Sequence, residues 1–116
     1  MSHEIQIQLP DELEISVERI HLEFGVPCSA HDCPVALAVI DALKKLGLKY
    51  PTVGVTPLCI TVYPSFGSSR EEQVTYTTPP ELIALIREVD RHGWRRTLYL
   101  ASGISPVKAI IRKMNL

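Results

Sequence analysis

Apolar and polar residues alternate in several short stretches, and this period-two pattern is typical of half-buried β-strands. The stretches cover residues 4–9, 13–17, 52–55, 58–63, 73–77 and 97–101. Beyond Val17 the alternation slips, since the next apolar residues are Ile20, Leu22 and Phe24. The slip predicts either a β-bulge or a short helical turn that starts near Ser16.

Three other segments carry apolar residues at helical spacing. Residues 34–47 form the clearest one, because Pro34 suits the first helical turn and Gly47 suits a left-handed C-terminal cap. The second begins near Pro79 and is predicted to end at Gly93. The third begins at residue 105 and is short. One face of this last predicted helix carries four apolar residues, Val107, Ile110, Ile111 and Met114.

This order of elements predicts an α+β fold. We expect a single small domain, with a mostly antiparallel sheet, two main helices packed on one face of it, and a short C-terminal helix. The expected core spans residues 1–101, and residues 102–116 form a helical extension. The chain of 116 residues is 46% hydrophobic and 22% charged, which are ordinary globular values and exclude a disordered chain.

The charge balance bears on partners and location. Twelve basic and thirteen acidic residues give a formal net charge of −1, so no overall positive field attracts nucleic acid or an anionic membrane. No stretch has the length and apolarity of a membrane span, and the first four residues lack the pattern of a secretory signal. A cytoplasmic protein without a nucleic-acid or membrane partner is therefore expected.

The densest cluster of reactive side chains is CSAHDCP, residues 28–34. Cys28, His31 and Cys33 are zinc-type ligands, but the second ligand pair of a structural zinc site is missing. Cys33 is also a candidate nucleophile, because a helix N-terminus lowers a thiol pKa and His31 lies nearby. The favoured interpretation is structural, with Cys33 as the N-cap of the following helix and Pro34 as its first residue. No cofactor is expected.

A second cluster is basic and aromatic. Arg87 and Arg91 have the i, i+4 spacing that shares a helix face. Arginine and tryptophan are enriched at interface hot spots and at sites that bind anions. The candidate binding residues are Arg87, Arg91, Trp94, Arg95 and Arg96, with Arg70 and Tyr63 as additions. A solvated charged face, with Trp94 closing the core, is the alternative interpretation.

Several short motifs occur in one order along residues 13–101. They are Gly25-Val26-Pro27, Cys33-Pro34-Val35-Ala36-Leu37-Ala38, Tyr76-x-x-Pro79-x-Glu81 and Asp90-x-x-Gly93. Together they resemble a group of short proteins from actinobacteria and their bacteriophages, a group to which no activity is assigned. The chain departs from that group at residues 97–100, where the group usually carries proline and phenylalanine, and in the added tail 102–116. The resemblance implies a phage or prophage context.

Two classes of function follow from these observations. The first is a small non-catalytic accessory protein of phage type, which binds a host protein or a small anionic signal such as a nucleotide, with an anti-defence role. The second is a zinc- or thiol-dependent protein built on Cys28, His31 and Cys33. A homo-oligomer is also expected. The predicted C-terminal helix has an apolar stripe that a single small domain is not expected to cover, and an exposed stripe of this kind commonly marks an interface.

Overall fold

A five-stranded antiparallel sheet is the frame of the structure, and the helices pack on one of its faces. The computed structural model describes residues 9–65, 72–103 and 106–114, and only the backbone for residues 92–103. The elements are β1 (Glu12–Val17), α1 (Arg19–Phe24), α2 (Pro34–Lys45), β2 (Thr52–Val55), β3 (Cys59–Tyr63), β4 (Val74–Thr77), α3 (Pro80–Gly103) and β5 (Val107–Lys113). The strand order across the sheet is β1-β5-β4-β3-β2. The predicted α+β class is confirmed.

Alternate residues of each strand point into the core beneath the helices. In β1 these are Leu13, Ile15 and Val17, and in β3 they are Ile60 and Val62. The opposite face carries mostly polar residues and is not covered by a helix among the described elements. Its members include Glu12, Glu14, Thr52, Thr61, Tyr63, Thr75, Thr77, Lys108 and Arg112. The domain therefore has one layer of helices and one open sheet face.

Helix α2 begins and ends where its sequence predicts. The side chain of Cys33 accepts a hydrogen bond from the Ala36 amide, and Pro34 occupies the first turn. At the other end Gly47 has a φ of 107°, which a residue without a Cβ adopts readily. The Gly47 N–H donates to the carbonyl of Lys44, and the Leu48 N–H donates to the carbonyl of Leu43. This pair of bonds is the Schellman arrangement, and it satisfies two of the terminal carbonyls.

The slip after Val17 corresponds to a short helix, not to a bulge. Helix α1 starts at Arg19, and Glu18 is its N-cap. The imidazole of His21 accepts from the Glu18 amide at 2.8 Å, and the His21 amide donates to the backbone carbonyl of Glu18 at 3.0 Å. These reciprocal bonds turn the chain away from β1 immediately after its last buried residue.

Two predictions for the C-terminal part of the chain are wrong. Helix α3 does not stop at Gly93 but continues to Gly103, so the strand predicted over 97–101 is helical. The predicted C-terminal helix is instead strand β5, in which Ala109 and Ile111 are buried at a two-residue period. Strand β5 lies between β1 and β4, so this segment belongs to the core sheet and is not an extension of it.

The four apolar residues predicted to form an oligomer interface therefore do not lie on a helix. Of these four residues, Ile111 is buried in the core and Val107 packs against it. Ile110 and Met114 remain partly exposed. The strand predicted over 4–9 lies, apart from Leu9, outside the described residues.

A buried tyrosine ties the start of the described chain to the sheet. Tyr76 in β4 is fully buried, and its hydroxyl donates to the carbonyl of Pro10 at 2.7 Å. Burial, with a smaller effect from Asp11, raises the pKa of Tyr76 to about 12 from its ordinary value of 10.0. The folded state therefore favours the protonated phenol.

Replacing this hydroxyl is expected to change both stability and its pH dependence. Tyr76→Phe should lower the free energy of unfolding by about 1 kcal/mol at neutral pH, the usual net value of one hydrogen bond. In the parent protein the phenol's contribution is complete below pH 10 and is lost between about pH 10 and 12, because the unfolded chain loses its proton first.

Urea denaturation at pH 7 and at several values above pH 10 measures both effects. In Tyr76→Phe the phenolic part of the alkaline decline should be absent. The control is Tyr50→Phe, because Tyr50 is 72% exposed and should leave both values unchanged. Equal stability of Tyr76→Phe and the parent protein at pH 7 would contradict the role of the bond.

Candidate functional site

The loop that carries the cysteine and histidine cluster covers one edge of the sheet. The Val55 amide of β2 donates to the carbonyl of Ala30 at 2.8 Å. His31 bonds through Nδ1 to the carbonyl of Val53 at 2.9 Å. A carbonyl only accepts, so Nδ1 carries the hydrogen of this bond. The ring lies over Gly54, and the loop thereby takes the place of a further strand beside β2.

The three zinc-type ligands of the cluster are used separately. No group of three or more His, Cys, Asp or Glu residues within the described parts of the chain is placed to hold a metal ion. Cys28 is exposed, and its amide donates to the Asp90 carboxylate of α3 at 2.8 Å. That bond anchors Cys28 at a φ of 61°, which is unfavourable for a residue with a side chain. Cys28, His31 and Cys33 thus attach the loop to α3, to β2 and to α2 respectively.

Cys33 is an N-cap, as the structural interpretation of its position predicts. Its side chain is buried and accepts the Ala36 amide at 3.4 Å. The nucleophile hypothesis predicted a lowered pKa, and that prediction is wrong. Burial raises the pKa of the Cys33 thiol, and the lowering by the helix amides is the smaller effect. The thiolate form is therefore disfavoured at this position.

The three thiols should react at different rates with iodoacetamide at pH 8. Alkylation requires an accessible thiolate, so exposed Cys28 should react first, half-buried Cys59 later and buried Cys33 last. Peptide mass spectrometry over a time course measures the order. Cys28→Ser should remove the fastest phase only, and urea should make the remaining thiols equal. Alkylation of Cys33 as fast as that of Cys28 in the folded protein would contradict this assignment.

The predicted basic and aromatic surface is divided by the sheet. Arg87 and Arg91 are exposed on α3, and neither forms an ion pair with the described residues. Tyr63 follows the core-facing Val62 on β3, so it lies on the opposite face of the sheet. The side chains of Trp94, Arg95 and Arg96, and all of Arg70, lie outside the described residues. Tyr63 and the two α3 arginines therefore do not share one contact surface.

The other edge of the sheet, β1, has no covering loop among the described residues. The backbone carbonyl of Asp11 accepts a hydrogen bond from the Lys113 amide at 2.7 Å. The two residues lie directly opposite each other when the β1–β5 register is continued by one residue. Hydrogen-bonded pairs alternate along an antiparallel ladder, so Leu13, Ile15 and Val17 also bond to β5. The backbone groups of Glu12, Glu14 and Ser16 consequently point away from the sheet. This is an unpaired row of amides and carbonyls of the kind that accepts another strand.

A groove of about 520 Å³ runs beside this free edge. Strand β1 forms one side, α1 closes one end, and the alanines Ala38 and Ala42 of α2 lie at its base. The lining residues are Leu13, Glu14, Ser16, Glu18, Ile20, His21, Ala38, Asp41, Ala42, Lys45, Leu46 and Lys108. We call this set the β1-edge groove. It combines open backbone, exposed apolar side chains and charges of both signs.

His21 holds the helix at the end of the β1-edge groove. It is 5% exposed, and Nδ1 accepts the Glu18 amide at 2.8 Å. Nε2 donates to the Asp41 carboxylate of α2 at 2.5 Å. Because both ring nitrogens are occupied, His21 joins α1 to α2. The three-residue spacing between Glu18 and His21 is the sequence signal that indicates a cap.

Comparison with protein-family models, curated proteins and solved structures finds no match to this chain. Within residues 9–65, 72–103 and 106–114, the helices are too short or too polar to cross a membrane. Inference about function therefore depends on the geometry of the two sheet edges and of α3.

Proposed function

We propose that this protein is a small non-catalytic binding protein, which acts by stoichiometric binding of a protein partner at the β1-edge groove. The observation that carries the proposal is the difference between the two sheet edges. The edge at β2 is closed by the bonds of Ala30 and His31, whereas no described residue covers the edge at β1, which lies beside a groove with both apolar and charged lining. An open edge next to such a groove is a common recognition surface for other chains.

Two of the reactive side chains near the sheet edges, those of Cys33 and His21, support binding as the function, because each has a structural task. Cys33 caps α2, and its thiol is held protonated by burial. His21 uses both nitrogens to join α1 to α2. A general base or a nucleophile needs a free lone pair directed at a substrate, and these two groups use theirs within the fold.

The resemblance to actinobacterial and phage proteins supplies the biological setting of the proposal. In that setting the partner is a host protein, the protein acts in the host cytoplasm, and occupying the partner serves an anti-defence role. Stoichiometric binding suits such a role, because a small accessory protein of this kind needs no turnover to block its target.

Photocrosslinking from the rim of the groove tests the proposal. Lys44 and Lys45 are adjacent exposed lysines at the end of α2, but only Lys45 lines the β1-edge groove. Benzoylphenylalanine in place of Lys45 should give a one-to-one adduct with a host protein when the protein is expressed in an actinobacterial cell and irradiated. The same group in place of Lys44 should give much less of that adduct.

Mass spectrometry of the adducts identifies the partner and its stoichiometry. Identical adducts from both positions would contradict the proposed surface. An adduct formed only between two copies of this chain would contradict a heterologous partner.

A second candidate function is binding of a small anionic ligand on α3. It is favoured by Arg87 and Arg91, whose exposed guanidinium groups have i, i+4 spacing and no ion pair with the described residues. Two guanidinium groups at that spacing suit bidentate contact with a phosphate.

Charge reversal separates this candidate from a nonspecific charge effect. Arg87→Glu with Arg91→Glu should weaken binding of pyrophosphate or ATP about tenfold or more, since a hydrogen bond to a charged group contributes about 1.5 kcal/mol or more. Isothermal titration calorimetry measures the affinity. Lys44→Glu with Lys49→Glu is the control, because it changes the net charge equally on exposed residues away from α3. An equal loss in both double variants would contradict a site on α3.

A further inference from the structure

We infer that the β1-edge groove takes an extended segment of the partner protein, which adds to the sheet beside β1 and alternates basic with apolar residues. The inference rests on the proposed function and specifies what the groove recognises. It follows from three features of β1 and its surroundings: the direction of the free backbone groups, the apolar base of the groove, and the charge on the open sheet face.

The free backbone groups recur at every second residue. Glu12, Glu14 and Ser16 direct both N–H and C=O away from β5, as the bond between Asp11 and Lys113 fixes the alternation of the ladder. These groups are spaced as in any strand, so an extended chain pairs with them, whereas a helix does not. The occupant is therefore an extended segment.

The helix-facing side of such a segment meets an apolar surface. Residues paired across two strands lie on the same face of the sheet, so the neighbours of Leu13 and Ile15 point toward α2. There they meet Ala38 and Ala42, whose small side chains leave room, with Ile20 and Leu46 beside them. Ile20 is 57% exposed and Leu46 41%, so an apolar side chain placed here removes apolar area from water.

The other side of the segment faces carboxylates. Glu12 and Glu14 point to the open sheet face, and Glu12 is already paired with Arg112 at 3.2 Å. Glu14 lies opposite Ile110 and has no ion-pair partner among the described residues. A lysine or arginine opposite Glu14 gives a favourable cross-strand pair, whereas a carboxylate there is repelled. Lys108 lies opposite Ser16 on the same face, so the position at which charge favours a basic residue is the one opposite Glu14.

The same carboxylates disfavour a second copy of this chain as the occupant. Antiparallel pairing of two β1 strands brings Glu12 and Glu14 of both copies onto one face of adjoining strands. Like charges in neighbouring strand positions are destabilising. The occupant with the best complementarity is a segment of a different protein.

Short synthetic peptides test the inference on the intact protein. The first is a capped peptide of alternating lysine and valine, and the second replaces each lysine with glutamate. Fluorescence anisotropy below the concentration of peptide self-association should show the lysine peptide binding about tenfold or more tightly, as a repulsive pair replaces an attractive one. The variant Glu14→Lys should reverse that preference. Glu72→Lys should not, because it makes an equal charge change at an exposed residue that does not line the groove or the depression around Glu14.

N-methylated peptides test whether the segment pairs as a strand. Methylation of the lysine amides removes the donors that face β1 in an antiparallel pairing, and methylation of the valine amides removes those of a parallel pairing. One of the two methylated peptides should lose about tenfold or more in affinity while the other binds as before. Equal binding of both, or no reversal of preference by Glu14→Lys, would overturn strand addition.

These experiments distinguish a failure of strand addition from a failure of the proposed binding function. A host-protein adduct at Lys45, together with peptides insensitive to methylation, leaves the binding function standing and rejects strand addition. No adduct at Lys45 rejects the binding function itself. A mass of two chains for the free protein in light scattering, abolished by Glu14→Pro, would identify a second copy as the occupant and overturn the inference.

Discussion

The pairing of β5 between β1 and β4 is the constraint on which the remaining structure depends. On one side of β5, Arg112 lies opposite Glu12, so residues from the two ends of the chain are paired. On the other side, Lys113 lies opposite Tyr76 of β4. Among the described strands, β1 has no other strand partner. Because β5 occupies an inner position, β1 is left at the edge. The order of the strands therefore determines which backbone groups are free and where the β1-edge groove lies.

Elements whose signals are local could be predicted from the sequence. Helix α2 has a proline in its first turn, a glycine after its end and apolar residues at helical spacing, so its limits depend on residues within the helix itself. Strands β1 and β3 alternate apolar with polar residues, and every second residue within each strand is buried, as that pattern predicts. The Cys33 cap at the start of α2 also acts over only three residues. Local rules are sufficient in such cases.

The C-terminal part could not be predicted, because two periods fit the same residues. Val107 and Ile111 are four residues apart, which suits a helix, but with Ala109 they also alternate at a period of two. The choice is made by partners distant in sequence, since β1 and β4 supply the hydrogen bonds on both sides of β5. Helix α3 passes through Gly93 for a related reason. A single glycine costs only about 1 kcal/mol in a helix, which the surrounding turns offset.

The candidate site could not be predicted from the sequence for the same physical reason, because β1 becomes an edge strand only when β5 pairs beside it. An edge strand is an open template, and natural sheets protect such edges with charge. Glu12 and Glu14 protect the edge of β1 against pairing with a second copy of the chain, because the two identical strands carry the same negative charges. They do not protect against a segment with basic residues, for which the same carboxylates are complementary. In the proposed function, protection from self-association and selection of a partner are two consequences of one pattern, in which two carboxylates alternate with the core residues Leu13 and Ile15.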